Sequence, residues 1–345
     1  MFNNIQMLRA VAAAMVLFYH ATPQYQAMGG ASRLFISFAN VGYTGVDIFF
    51  VISGFVAAHT TLNKTRSIFN AWTFVQRRLL RIYLGYWPFL GISLVLTFLY
   101  VPATFSDLDL VSSFFLTSID LKRLALSVTW SLTFELLFYA IVTASFALSA
   151  RVVKLWVHIC GAGLLLILIW TYRTPHSPLL LFLSMFLEFL AGVLVYIHRK
   201  RLESRWWIGP CLFVAFVAFV MGAHLHATDG SVRIFTFGTG ALALVMLVLT
   251  LEQSRTLIAS RIWVALGDAS YTLYLVHLSL LLVFYFWGIR DFLASQPALL
   301  RETGFFLFLG LCIWISRMLY LWIEAPLYRR ASASHASGRF HPQPS

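Results

Sequence analysis

IQMLRAVAAAMVLFYHATP, from Ile5 to Pro23, is long and apolar enough to cross a lipid bilayer as an α-helix. It nevertheless contains Arg9 and His20. A charged side chain in hydrocarbon costs about 2.5–3.5 kcal/mol even on the most lenient insertion scale, so Arg9 needs a reason to be there. The two residues are almost three helical turns apart, about 16 Å of rise, and share one face. This stripe favours a buried polar channel; the alternative is that Arg9 and His20 snorkel to opposite headgroup layers.

The composition indicates an integral membrane protein. Of 345 residues, 60% are hydrophobic and 11% are charged, whereas soluble domains carry about 25% charged residues. The net charge of +12 comes mainly from basic residues that flank apolar segments, the pattern of cytoplasmic loops. We therefore expect a lipid bilayer, and not nucleic acid, as the surroundings of the chain.

Ten apolar segments predict an all-α polytopic membrane protein, with one transmembrane domain over residues 1–330 and a disordered cytoplasmic tail over 331–345. Pro88 and Pro102 are expected to shorten the third span, and Pro326 to help end the last. The predicted spans are 5–23, 38–59, 83–103, 127–149, 154–171, 179–197, 207–226, 231–251, 262–287 and 303–323.

The basic residues predict the orientation of these spans. With a cytoplasmic N-terminus, the inner connections hold sixteen Lys and Arg residues and the outer connections seven. This asymmetry places both termini in the cytoplasm. The outer seven are Arg33, Lys122, Arg123, Arg173, Arg233, Arg290 and Arg301.

The second span contains a lone carboxylate, Asp47, in an apolar run with Gly42, Gly45 and Gly54. Small residues let membrane helices approach closely. Asp47 is expected to face the bundle interior and find a partner there. Helix packing around a paired Asp47 and a direct catalytic role are both open.

An interfacial helix is predicted from Phe69 to Tyr83. Arg78 and Arg81 lie three residues apart on one face of it, with Arg77 beside them. Guanidinium groups bind phosphate in a bidentate manner. The alternative is an ordinary cytoplasmic anchor for anionic lipid, which spacing alone favours.

Two later spans carry polar stripes. Ser131, Glu135 and Tyr139 follow one another at four-residue spacing in the fourth span, where the partner of Glu135 must come from another helix. Tyr271, Tyr274 and His277 repeat every three residues in the ninth. Trp130 lies just before the first stripe, and Glu188 adds a carboxylate to the sixth span. No spacing makes a convincing metal site.

Taken together, these stretches resemble the acyltransferase 3 family of bacterial membrane acyltransferases, from residue 5 to about 330. One departure is that Leu84 and Gly85 stand where the family usually has a proline before Tyr-Trp. The matching residues are Arg9 and His20 with ten residues between; Gly42-x-x-Gly45-Val46-Asp47-x-Phe49-Phe50-x-Ile52-Ser53-Gly54; Arg78-x-x-Arg81-Ile82; Trp130-Ser131-Leu132-x-x-Glu135 with Phe138-Tyr139; Ser270-Tyr271-x-Leu273-Tyr274-Leu275-x-His277; and Glu324-x-Pro326.

The resemblance implies transfer of an acyl group, usually acetyl, from cytoplasmic acetyl-CoA to a hydroxyl of a cell-surface glycan. It implies a bacterial inner-membrane enzyme, with His20 as the central catalytic residue and Arg78 and Arg81 meeting the acyl donor. The short chain is similar to the subgroup that O-acetylates exopolysaccharides or lipo-oligosaccharides. Acyl-CoA is then a donor substrate, and no permanently bound cofactor is expected.

The chemistry agrees with the resemblance, because removing a hydroxyl proton near neutral pH suits a histidine supported by a carboxylate. Glu135 is favoured over Asp47 as that carboxylate. We expect His20, Asp47, Glu135 and His277 to converge in the outer half of the membrane, with Arg9 beneath them.

A proton-coupled transporter or flippase would use the same residues as a relay. The residues expected to contact the acceptor, a glycan or lipid-linked oligosaccharide, are Trp130, Ser131, Tyr139, Tyr274 and His277.

Overall fold

A computed structural model describes residues 2–171, 178–227 and 230–337 of the chain. Within these ranges the chain forms helices and no β-strand. Within the described ranges, nine helical stretches are long and apolar enough to cross a membrane, and the number is ten if the one bent pair counts as a span. The predicted all-α polytopic membrane fold is confirmed.

The helices are numbered in chain order. The first eight are α1 (Asn3–Ala27), α2 (Arg33–Asn40), α3 (Gly45–Thr61), α4 (Ile68–Tyr100), α5 (Pro102–Phe105), α6 (Leu110–Phe115), α7 (Trp130–Ala144) and α8 (Ala150–Trp170). The others are α9 (Pro178–His198), α10 (Ile208–His224), α11 (Gly230–Arg233), α12 (Thr239–Gln253), α13 (Arg261–Asp268), α14 (Ser270–Phe286), α15 (Ile289–Ala294), α16 (Ala298–Leu319) and α17 (Ala325–Ser337).

The chain divides into two compact units, each built from three separate segments. The first unit comprises Met1–Thr22, Ser32–Ala71 and Phe134–Ser270. The second comprises Pro23–Ala31, Trp72–Thr133 and Tyr271–Ser345.

The prolines end fewer helices than predicted. Helix α4 runs for 33 residues through Pro88, so the predicted interfacial helix and third span are one helix. Membrane helices tolerate proline because neighbouring groups satisfy the freed carbonyl. Pro326 does not stop the last span either, since a π-helical turn, Tyr320–Glu324, leads directly into α17. A widened turn before the proline relieves the clash between its ring and the carbonyl four residues earlier.

The C-terminal segment is helical further than expected. Helix α17 continues to Ser337, whereas disorder was predicted from residue 331. Ala331, Ala333 and Ala336 favour the helical conformation. Residues 338–345 lie outside the described ranges, and for them the disordered tail stays a prediction.

Close helix packing in the first unit depends on glycine, as predicted. A Cβ atom at Gly54 of α3 would collide with the carbonyl oxygen of Phe189 in α9. Reciprocally, a Cβ atom at Gly192 of α9 would collide with the carbonyl oxygen of Val51 in α3. The two glycines let the backbones of α3 and α9 touch. These are the helices that carry Asp47 and Glu188.

The ninth span is bent by 62° between α13 and α14. Only Ala269 separates the two helices. A Cβ atom at Gly267 would collide with the carbonyl oxygen of Gln6 on α1, so the bend places backbone directly against the first span. This contact lies within the first unit.

Candidate functional site

The first unit contains a buried ion pair between Asp47 of α3 and Arg233 at the end of α11. Nε of Arg233 donates to one carboxylate oxygen at 2.9 Å, and Nη2 donates to the other at 2.7 Å. The side chains are 0% and 7% exposed. Asp47 thus has the interior partner that was predicted. The identity of the partner is a correction, because Arg233 was assigned to an outer connection.

Glu188 of α9 adds a second carboxylate to this pair. Its side chain is 1% exposed, and it interacts electrostatically with both Asp47 and Arg233. Among the described residues, neither of its carboxylate oxygens has a hydrogen-bond partner. One guanidinium and two carboxyl groups therefore lie together in the buried interior of the first unit.

Glu135 of α7 lies at the centre of a hydroxyl network, also in the first unit. Its Oε1 accepts hydrogen bonds from Ser53 of α3 at 3.0 Å and from Tyr139, one turn along α7, at 2.5 Å. The expected partner from another helix is thus Ser53. Two hydroxyl donors on one oxygen hold the carboxylate of Glu135 in a fixed position between α3 and α7.

His20 has its tautomer fixed by its own helix. Nδ1 lies 2.9 Å from the carbonyl oxygen of Val16, one turn earlier in α1. Because a carbonyl oxygen only accepts, Nδ1 carries the proton, and the lone pair of the neutral ring is on Nε2. The ring also packs edge-to-face on Tyr19, with centroids 5.1 Å apart.

Arg9 belongs to a polar chain at the start of α1. Its Nη1 donates to Oε1 of Gln6 at 3.2 Å, and Nε2 of Gln6 donates to Asp268 at 2.6 Å. Asp268 is the last residue of α13, at the bend of the ninth span. The polar environment predicted for Arg9 is present, and Asp268 is a member that the sequence did not reveal.

The second unit holds Arg81 in a buried ionic contact. Nη1 of Arg81 lies 2.8 Å from Oε1 of Glu324, whose side chain is 1% exposed. The other oxygen of Glu324 accepts a 2.5 Å hydrogen bond from Thr272. The rings of Tyr271 and Tyr328 each lie 5.9 Å from the guanidinium carbon. The guanidinium of Arg81 is therefore fixed from several sides, while its side chain keeps 29% exposure.

Gly85 explains how these groups come so close to α4. A Cβ atom there would approach the ring of Tyr271 to 2.6 Å and Cγ of Glu324 to 3.4 Å. The position that departs from the family's usual proline is therefore a contact point for Glu324. Arg78, on the same helix, lies over the ring of Phe74, with its guanidinium carbon 5.4 Å from the centroid.

The residues predicted to contact the acceptor are placed in both units. In the second unit, Oγ of Ser131 lies 2.8 Å from the hydroxyl of Tyr274, which donates to the carbonyl of Val128 at 2.6 Å. His277 is fully buried, and its ring centroid lies 6.1 Å from that of Tyr274. Trp130 is half-buried at the start of α7. Tyr139 belongs to the first unit and is bonded to Glu135. The convergence of His20, Asp47, Glu135 and His277 stays a prediction.

These features define the class of protein: a polytopic helical membrane protein whose ionisable side chains are held in internal networks. The comparison with known families identifies the particular family. The acyltransferase 3 family model, described as an acyltransferase domain, matches residues 2–317. The chain belongs to this acyltransferase family. The match ends before Glu324 and Pro326, so the family assignment of these two residues stays a prediction.

A curated relative is the exopolysaccharide production protein ExoZ of Rhizobium meliloti (strain 1021). The two sequences are 29% identical over 315 residues, which cover 85% of this chain and 92% of the relative. No solved structure matches the chain.

Proposed function

We propose that this protein transfers an acyl group, acetyl in the simplest case, from acyl-CoA to a hydroxyl of an exported glycan. Membership of an acyltransferase family supports the reaction type. The relative's name, exopolysaccharide production protein, supports a glycan as the acceptor. The enzyme would lie in the bacterial inner membrane with both termini in the cytoplasm, where acyl-CoA is made.

The observation that carries the proposal is the contact between Nδ1 of His20 and the carbonyl of Val16. In the neutral ring this contact puts the lone pair on Nε2, which supports Nε2 as the atom that takes a substrate proton. In the proposed reaction, Nε2 takes the proton of the acceptor hydroxyl while the hydroxyl oxygen attacks the thioester carbonyl. The carbon–sulfur bond then breaks, and the leaving thiolate takes that proton back from the His20 imidazolium, which returns to its neutral form. The products are an ester and free CoA, so atoms and charge balance.

Glu135 is the carboxylate that we propose balances the imidazolium formed at His20. Its two hydroxyl donors, Ser53 and Tyr139, fix the carboxylate in place, which supports such a positioned partner. The charge of Asp47 is already balanced by its ion pair with Arg233. This difference in partners supports Glu135 over Asp47.

Arg78 and Arg81 are proposed to hold the phosphates of CoA, and Arg9 to support the polar path from the donor side. The fixed guanidinium of Arg81 supports this role, because a pre-positioned fork loses less entropy on binding an anion. Trp130, Ser131, Tyr139, Tyr274 and His277 remain the proposed acceptor contacts.

The test is release of free CoA thiol by the purified protein in lipid nanodiscs, with acetyl-CoA and the glycan of the producing cell. Release that needs both substrates supports the enzyme, whereas a transporter or flippase would release none. Glu135→Gln keeps the shape of the side chain but removes its charge. It should lower kcat by roughly 10²-fold, the lower end of acid–base contributions. Unchanged turnover in this variant would remove Glu135 from the mechanism.

A further inference from the structure

Arg66 lies in the connection between α3 and α4 and has an unsatisfied guanidinium. Its Nε, Nη1 and Nη2 atoms are all shielded from solvent, and none has a hydrogen-bond partner among the described residues. The five N–H donors of a guanidinium cannot lose their proton to escape this cost. An unsatisfied buried polar group calls for an explanation, and a ligand or ion is one of the few available.

The aromatic ring of Phe146 orients this guanidinium. The guanidinium carbon of Arg66 lies 4.9 Å from the ring centroid. This cation–π contact partly stabilises the positive charge of the guanidinium, but it gives none of the N–H groups a hydrogen bond. It covers a face of the planar group and gives the N–H donors no acceptor, and two of these donors match two oxygens of a phosphate.

The surroundings of Arg66 are basic. Phe146 belongs to the short 3₁₀ helix Ser145–Ala147, which leads into α8. The connection over residues 62–67 and the segment over 145–149 contain no Asp or Glu in the sequence. Lys64, Arg151 and Lys154 are exposed around them along the chain. Arg151 and Lys154 lie near the start of α8, where cations oppose the helix dipole, so they do not stabilise that helix.

Both connections follow even-numbered spans and therefore emerge on the side of the membrane that holds the N-terminus. The count of basic residues predicts this side to be cytoplasmic. Anionic phosphate is present there as lipid headgroups and as soluble phosphate esters.

We propose that Arg66, stacked on Phe146, binds a phosphate group at the cytoplasmic surface of the first unit. The ligand chemistry is an anionic phosphate ester, which an anionic phospholipid or a CoA molecule would supply. Of these two sources, only CoA depends on the acyl-transfer function proposed above. Arg66 and Phe146 belong to the first unit, whereas Arg78 and Arg81, the donor contacts proposed above, belong to the second.

The experiment measures binding by the full-length protein, purified in detergent and freed of lipid. Short-chain phosphatidylglycerol and free coenzyme A are titrated separately, and the apparent affinity is read from the shift in thermal unfolding. Arg66→Ala should weaken the affinity for at least one probe by about tenfold or more, equivalent to about 1.4 kcal/mol. Arg66→Lys, which keeps the charge without the fork, should restore part of it.

The matched control is Arg261→Ala, which removes one exposed basic residue from another connection on the same side. It should leave both titrations unchanged. A response only to phosphatidylglycerol identifies a lipid site, and a response only to coenzyme A identifies a site for the donor. If neither probe binds in a manner that depends on Arg66, the proposal is overturned and Arg66 is a topology anchor. Because the readout is binding and not turnover, this result is independent of whether acyl transfer is observed.

Discussion

Arg233 holds both carboxylate oxygens of Asp47, at 2.9 and 2.7 Å, although 186 positions separate the two residues in the chain. Both side chains are buried, and Glu188 lies beside them. Two charges taken out of water repay the cost of desolvation only when the geometry is close and the hydrogen bonds are made. The bidentate contact meets that condition. It ties the end of α11 to α3 within the first unit.

This pair yields a prediction that separates structure from catalysis. Arg233→Met should lower the stability of the protein by about 3–5 kcal/mol, because it leaves a buried carboxylate without its partner. The double variant Asp47→Leu with Arg233→Met removes both charges and should recover most of that stability. Thermal unfolding in detergent measures the effect, and we expect the double variant to keep acyl transfer. A stable double variant without activity would instead place Asp47 in the chemistry.

Donor binding by Arg81 gives a second prediction. Arg81→Ala should raise the dissociation constant of acyl-CoA, and added salt should raise that of the wild type, because partly exposed phosphate contacts are screened. Arg81→Lys should rescue only in part, since an ammonium cannot form the bidentate pair. Equilibrium binding of acetyl-CoA to the purified protein measures all three. Unchanged affinity in a variant that lacks both Arg78 and Arg81 would leave them as anchors.

Glu324 is predicted to position Arg81 and not to touch substrate. Its carboxylate joins Arg81 and Thr272, so Glu324→Gln should loosen the guanidinium and raise KM for acyl-CoA more than it lowers kcat. Thr272→Val removes one hydrogen bond to Glu324, so it should also raise KM for acyl-CoA, but by less than Glu324→Gln does. Steady-state kinetics at varied acyl-CoA provide the measurement. A fall in kcat with KM for acyl-CoA unchanged would contradict a positioning role.

The predicted orientation is open to a direct test. Arg233 is buried in an ion pair and does not count as a loop residue, so six basic residues remain in the outer connections, against sixteen inside. The asymmetry that predicts cytoplasmic termini is therefore stronger. A reporter active only in the cytoplasm should be active when it is fused after Arg330. Activity of a periplasm-only reporter at that position would reverse the topology.

The positions of the spans could be predicted from sequence because apolar length alone determines whether a helix can cross a bilayer. The effect of the prolines could not be predicted in this way. Pro88 lies within a continuous α4, and Pro326 follows a π-helical turn. In both places, the packing of neighbouring helices or a local widening of the helix overcomes the tendency of proline to end a helix. These features depend on neighbouring helices, which spacing along one segment does not reveal.

The candidate site was predictable in its members but not in its pairings. Asp47 and Glu135 could be recognised, because ionisable residues in apolar segments are costly and need a partner, and Arg81 by its three-residue spacing from Arg78. Their partners Arg233, Ser53 and Glu324 lie on distant segments. Arg233 was hidden by its place at the edge of an apolar run, where it resembles a loop residue. An arginine next to the end of a span, with a lone acid in another, is the signal that could have revealed it.

The central claim is that His20 is the base in acyl transfer. The most direct measurement supplies isotopically labelled acetyl-CoA to the purified protein and detects labelled ester on the acceptor glycan. His158→Ala is the matched control, since His158 is an exposed histidine on α8. The account predicts labelled ester with the wild type and with His158→Ala. It predicts none with His20→Ala, although that variant remains folded and still binds acetyl-CoA. Wild-type levels of labelled ester from a folded His20→Ala variant would contradict the account.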